Sequence, residues 1–208
     1  FNGNDKVDMV FGTDENNLYL VLDSGEVAEG FPFSVNGKIR SSPIIYDLLN
    51  NGELEMAFAS DDNHLYILDS SGEEVLSYNS GSIIRSSIST IQVDNSLKIF
   101  FGSDDGFLHG IDAFGQVLDG WPIFIDQQLR SSAVFSDLNN DGDHEIIITS
   151  KTGSIHIFDL DGTVYPGFPM KIATVIECSP VVQDTDNDGD LEIITGTSDG
   201  IFSLDIKS

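Results

Sequence analysis

The chain has 208 residues, which at roughly 150 residues per domain is one large domain or part of a larger one. Forty per cent of the residues are hydrophobic and 14 are Phe, so a core can form and a disordered chain is excluded. No apolar run approaches the ~18 residues of a membrane span, and the single Cys178 excludes both an internal disulfide and a cysteine-based zinc site. Thirty-five acidic against nine basic side chains give a formal charge of −26, which repels nucleic acid and anionic lipid and attracts divalent cations.

In chain order, the pattern is a tandem repeat. Ser41-Ser42, Ser86-Ser87, Ser131-Ser132 and Cys178-Ser179 recur at steps of 45, 45 and 47 residues. A second landmark, a small-residue pair closing an apolar run, gives steps of 47, 43, 47 and 47: Gly12-Thr13, Ala59-Ser60, Gly102-Ser103, Thr149-Ser150 and Gly196-Thr197. Two landmarks with one period define units of about 1–40, 41–85, 86–130, 131–177 and 178–208.

Each full unit reads as four short strands. In the unit from Ser131 these are 132–136, 145–149, 154–158 and a fourth near Met170-Lys171-Ile172. Alternation and β-branched residues favour strands over helices. Asp69-Ser70-Ser71-Gly72, Asp112-Ala113-Phe114-Gly115 and Asp159-Leu160-Asp161-Gly162 supply tight turns between strands three and four. Gly30-Phe31-Pro32, Gly120-Trp121-Pro122 and Gly167-Phe168-Pro169 then lead into the fourth strand, where proline suits an edge. Four strands per ~45 residues predict an all-β fold, a β-propeller of four-stranded antiparallel blades. The strands count three, four, four, four and three. Beginning at Phe1 without Met or leader, the chain reads as a trimmed segment of one propeller domain, a cut through a larger ring, over a closed five-bladed ring with a missing strand.

The most specific feature lies between strands one and two. Asp137-Leu138-Asn139-Asn140-Asp141-Gly142-Asp143-His144-Glu145 and Asp184-Thr185-Asp186-Asn187-Asp188-Gly189-Asp190-Leu191-Glu192 place oxygen donors at positions 1, 3, 5 and 9. Glycine at position 6 allows a sharp turn, and the backbone carbonyl of Asp143 or Asp190 falls at position 7. Such a loop suits calcium, which takes six to eight oxygens at about 2.3–2.6 Å, better than magnesium or a transition metal. An EF-hand is excluded, because Ile148 and Thr195 stand where its bidentate Glu belongs and the flanks are strands. The other reading, a hairpin that only turns the chain, is weakened by two near-identical copies 47 residues apart.

The remaining copies are degraded. Asp47, Asn51, Glu53 and Glu55 keep the frame with Gly52, but Leu49 removes the position-3 donor. The third unit has a shorter loop, Val93-Asp94-Asn95-Ser96, with Lys98 at position 9, so no site is expected. At the N-terminus Asn2, Asn4 and Asp8 align with positions 3, 5 and 9 of a truncated fifth loop.

On these loops and on the Gly-Phe-Pro turns, the repeat resembles the FG-GAP/VCBS family of calcium-loop β-propeller repeats, found in integrin α-chain heads and in secreted bacterial proteins. The resemblance spans the chain and is closest over 131–153 and 179–200. It implies an extracellular propeller with structural calcium, and the Gly-Trp-Pro and Gly-Phe-Pro turns are similar to the bacterial branch. Arg-Ser-Ser replaces the Phe-Gly pair of integrins, so integrin ligand specificity is not carried over.

The only arginines, Arg40, Arg85 and Arg130, each precede a Ser-Ser pair. They read either as a ligand face for a carboxylate or sulfate on a protein or glycan partner, or as structural partners of Asp61, Asp62, Asp104 or Asp105 in a neighbouring blade. Glu177 takes their place in the fourth unit. His109 and His156 share a strand position with Tyr19, Tyr66 and Phe202 and read as packing, while His64 and His144 lie in loops. Cys178 reads as a small buried thiol in a serine's place. Trp121 reads as structural, with a sugar-stacking platform as the other reading.

The expected function is a non-catalytic, extracellular calcium-binding module for protein or glycan recognition or adhesion. The alternatives are an enzyme on a propeller scaffold, such as a polysaccharide lyase or quinoprotein-like protein, or a spacer of a secreted hydrolase. One tryptophan cannot supply the per-blade pattern of quinoproteins, and no acid/base pair breaks the repeat.

Overall fold

A computed structural model describes residues 6–125, 128–172, 175–176 and 178–206. The chain divides into two compact units, one of residues 1–99 and 111–116 and the other of residues 100–110 and 117–208. Asn2, Asn4 and Glu177 lie outside the described residues.

Among the described residues every regular element is a strand, and the strands form five antiparallel sheets. The first sheet holds β1 (Met9–Gly12), β2 (Asn17–Val21) and β3 (Phe33–Ser34). The second holds β4 (Ile44–Tyr46), β5 (Glu55–Ala59), β6 (His64–Leu68) and β7 (Glu74–Asn79). The third holds β8 (Ser89–Val93), β9 (Ser96–Gly102), β10 (Phe107–Asp112) and β11 (Ile123–Phe124). The fourth holds β12 (Val134–Ser136), β13 (Glu145–Ser150), β14 (Ser154–Phe158) and β15 (Met170–Lys171), and the fifth β16 (Val181–Gln183), β17 (Leu191–Thr197) and β18 (Gly200–Ile206). The predicted sequence of three, four, four, four and three strands is the observed one. In every sheet the strands follow one another as a simple meander, each paired to the next in sequence.

The central strands do not alternate. β5 and β13 are buried at every position, hence on both faces, which is why they read as continuous apolar runs. In the first unit Met56, Phe58, Tyr66 and Leu68 of the second sheet are 0–7% exposed, packed with Leu18 and Ile39 and flanked by Val10, Phe31, Phe33 and Val35. Phe58 stacks on Tyr66 at 5.2 Å, and Phe33 meets both edge-on. In the second unit Leu138, Ile147, Ile155, Ile157, Ile193 and Ile206 form the equivalent cluster. Burying each such side chain contributes about 1.5–3 kcal/mol.

The fourth strand departs from the expected single segment. In three sheets it is reduced to the two-residue β3, β11 and β15. In the first and fourth sheets an isolated bridge precedes it, Val21 to Val27 and Phe158 to Val164. The Gly-Phe-Pro or Gly-Trp-Pro turn separates the short strand from what comes before, and its X-Pro bond is cis in all three cases. The second sheet lacks that turn, and its β7 runs unbroken for six residues. The glycine is required: its φ is +85° at Gly30 and +83° at Gly120. A Cβ would fall 2.0 Å from the Ser71 carbonyl oxygen at Gly30 and 2.1 Å from that of Asp161 at Gly120. The turn of one sheet thus seats on the hairpin turn of the next.

The Ser-Ser pairs precede the first strands instead of starting them. Ser41, Ser86 and Ser131 are buried, and β4, β8 and β12 begin three residues later.

Candidate metal centre

Three loops join first and second strands with one backbone design. Position 4 has positive φ in each, at Asn50, Asn140 and Asn187 (54°, 58° and 62°), as does position 6 at Gly52, Gly142 and Gly189. Asparagine tolerates this region better than most residues with a Cβ, so the repeated Asn at position 4 was a readable signal that sequence reasoning passed over.

The side chains turn inward to the loop's own N–H groups. Asp137 Oδ1 accepts from Asp141 N at 3.1 Å and its Oδ2 from Gly142 N at 3.0 Å. Asn139 Oδ1 also accepts from Asp141 N, and Asp141 Oδ1 accepts from Asp143 N. In the fifth sheet Asp184 accepts from Asn187 N and Gly189 N, Asp186 from Asp188 N, and Asp188 from Asp190 N. In the second sheet Asp47 accepts from Asn51 N and Gly52 N, and Asn51 from Glu53 N. Each carboxylate oxygen keeps a further lone pair after such a bond.

Position 9 has a role that sequence reasoning missed. Glu55, Glu145 and Glu192 are buried, and Oε2 of each accepts the position-2 N–H, from Leu48 at 2.8 Å, Leu138 at 2.7 Å and Thr185 at 2.6 Å. This bond ties the start of the loop to the start of the second strand. It accounts for a glutamate at a position that needs one more methylene than aspartate offers.

Carboxylate oxygens of Asp184, Asp186 and Asp188 lie within 4.8 Å of one another, and Asp190 and Glu192 are not part of that group. Crowding shows in the protonation balance. Burial lifts the Glu145 carboxyl, opposed by the Leu138 N–H and reinforced by Asp141, Asp159 and Asp137. Asp159 is raised by burial and then by Asp161, Asp141 and Asp143, so the hairpin turn after β14 adds its charge to the fourth-sheet loop. At Asp186 the Asp188 N–H bond lowers the carboxyl, but desolvation and the charges of Asp188, Glu192 and Asp184 together raise it. Hard oxygen donors, shared repulsion and a closed turn fit a hard divalent cation held by positions 1, 3 and 5.

The degraded copies differ in kind. Asp94 and Asn95, with φ of 50° and 61°, form a two-residue hairpin between β8 and β9, which leaves no loop to wrap an ion. Asp8 accepts the Asp23 N–H.

The arginines meet carboxylates. Arg85 Nε donates to Asp61 Oδ1 at 3.2 Å, Arg40 Nε lies 3.4 Å from Asp61 and 3.6 Å from Asp14, and Arg130 Nε lies 3.8 Å from Asp104. Arg85 and Arg130 therefore pair with the turn after the second strand of the preceding sheet, β5 and β9 respectively, while Arg40 lies between Asp14, after β1, and Asp61. In sequence the fourth unit inverts the pair, with Lys151 at the aspartate's place and Glu177 at the arginine's.

His109 and His156 are buried and stack on Phe101 and Phe158. Trp121 is 7% exposed and its Nε1–H donates to the Leu160 carbonyl, so it is structural and no sugar platform. Cys178 corrects the buried-thiol expectation: the residue is exposed, although its sulfur accepts the Gly196 N–H at 3.2 Å in the manner of Ser41 with Ala59.

Residues 137–195, which contain both complete loops, match the family described as FG-GAP-like repeat. No curated protein matches the chain. Among solved structures, BamB from Moraxella catarrhalis superposes with a TM-score of 0.67 at 16% identity, over 97% of this chain and 58% of that one. The WD40 β-propeller domain of Doa1 gives 0.63 at 14%, over 98% and 62%. The V. cholerae biofilm matrix protein Bap1 gives 0.69 at 20%, over 93% and 32%. The chain spans less than two thirds of each, and at these identities the likeness is one of fold. The segment 137–195 is thus similar to the FG-GAP-like repeat, and the five sheets are of β-propeller type in fold. No helix among the described residues is long and apolar enough to cross a membrane.

Proposed function

We propose that the protein is a non-catalytic, calcium-binding recognition or adhesion module that works outside the cell. The observation that carries this reading is the convergence of Asp184, Asp186 and Asp188, with the same inward-turned donors at Asp137, Asn139 and Asp141. Calcium would be held there by carboxylates whose mutual repulsion it relieves, and it would stiffen the loop between the first two strands. The second-sheet loop, with Leu49 at position 3, would bind more weakly. A net charge of −26 suits a setting where millimolar calcium and salt screen it. The partner would be an extracellular protein or a glycan.

Calorimetric titration tests the ion. Calcium should bind at two sites, and Asp188→Asn should remove one while Asp141→Asn removes the other. Absence of calcium heat in the parent chain contradicts the reading. Retention on arrayed glycans or matrix proteins, lost on chelation, tests the recognition role.

A further inference from the structure

We propose that Asn51 is a site of spontaneous deamidation, which converts position 5 of the second loop from an amide into the acid found there in the other two loops. The chain has three Asn-Gly pairs, of which Asn2-Gly3 lies outside the described residues. The other two differ in surroundings. Asn51 and Gly52 are both exposed, and a Cβ on Gly52 would meet nothing within 4 Å, so the pair has room to rearrange. The Asn51 carbonyl oxygen accepts the Glu53 N–H at 2.7 Å, which polarises Cγ, and the Asn51 amide donates to Glu55 Oε1. The Gly52 N–H points at Asp47 Oδ2, 2.9 Å away. Asn36-Gly37, by contrast, is wedged: a Cβ on Gly37 would lie 2.3 Å from Asp62 N, and Asn36 N donates to Asp62.

The Gly52 nitrogen attacks Asn51 Cγ. The N–Cγ bond forms, the Cγ–Nδ2 bond breaks, and the amide leaves as ammonia with the proton from Gly52 N. Water then opens the succinimide at either carbonyl to give aspartate or isoaspartate, with no oxidant or reductant involved. The aspartate product matches Asp141 and Asp188 and adds one negative charge. Its consequence for cation binding rests on the reading above; the chemistry does not.

The folded chain is held in warm, mildly alkaline buffer, digested and followed by mass spectrometry, beside a denatured sample. The expected result is a gain of about 1 Da at Asn51 while Asn36 is retained, with both converting once denatured. Asn51→Gln should lack the gain. An unchanged Asn51 in the folded chain, or an Asn36 that keeps pace with it, overturns the proposal. Calcium titration of Asn51→Asp separately reads the loop: if the mass gain occurs and affinity is unchanged, the cation reading of this loop fails and the modification stands.

Discussion

Ser41, Ser131 and Cys178 serve one role with different atoms. Ser41 Oγ both donates to the Ala59 carbonyl and accepts its N–H, Ser131 donates to Thr149 O, and the Cys178 sulfur sits between the N–H and the carbonyl of Gly196. Cys178→Ser should therefore change stability by less than about 1 kcal/mol. Ser131→Ala should cost about 1–3 kcal/mol, because it strips a buried carbonyl of its donor. Urea denaturation of both variants checks the pair. His109 gives a pH signature. Burial lowers its pKa from 6.5 to about 4, against a smaller opposing pull from Asp105. The unfolded chain thus takes up this proton first as pH falls. The stability that neutral His109 contributes is complete above about 6.5, shrinks below it and is gone near 4, a loss of about 3 kcal/mol. His109→Phe, the residue type at Phe202, should flatten the difference in urea midpoint over that window. A variant whose midpoint tracks the parent throughout would contradict this.

At the scale of elements, strand count, order and the loop-bearing junctions were all legible, because period and turn chemistry are local properties. The split fourth strand was not. Gly30-Phe31-Pro32 announces a turn, but the fit of Gly30 against Ser71 is a contact between units 41 residues apart in the chain, and only the fold brings them together. Likewise Glu145 looked like one more ligand, and its bond to Leu138 N depends on β12 and β13 being paired. The glycine seat yields a comparison. Gly120 and Gly167 share a positive φ, but only Gly120 has a carbonyl in the way of a Cβ. Gly167→Ala should cost about 1–2 kcal/mol from backbone strain alone. Gly120→Ala should lower the melting temperature further; equal losses would mean that the seat contributes nothing.

For the whole molecule, the dominant quantity is a charge of −26 on 208 residues, part of it concentrated in loops whose carboxylates face one another. The loops were legible as oxygen-rich turns between first and second strands, and the structure adds how they are closed: αL residues at positions 4 and 6, and a glutamate tie at position 9. Calcium, on the function proposed above, completes these loops. The direct test is a thermal melt of the chain in millimolar calcium, in chelator and in magnesium. A site occupied at a hundred times its dissociation constant should add about 2.7 kcal/mol. The midpoint should rise with calcium, magnesium should not reproduce the rise, and Asp141→Ala with Asp188→Ala should abolish it. An identical midpoint in all three buffers, or an equal rise with magnesium, would contradict this.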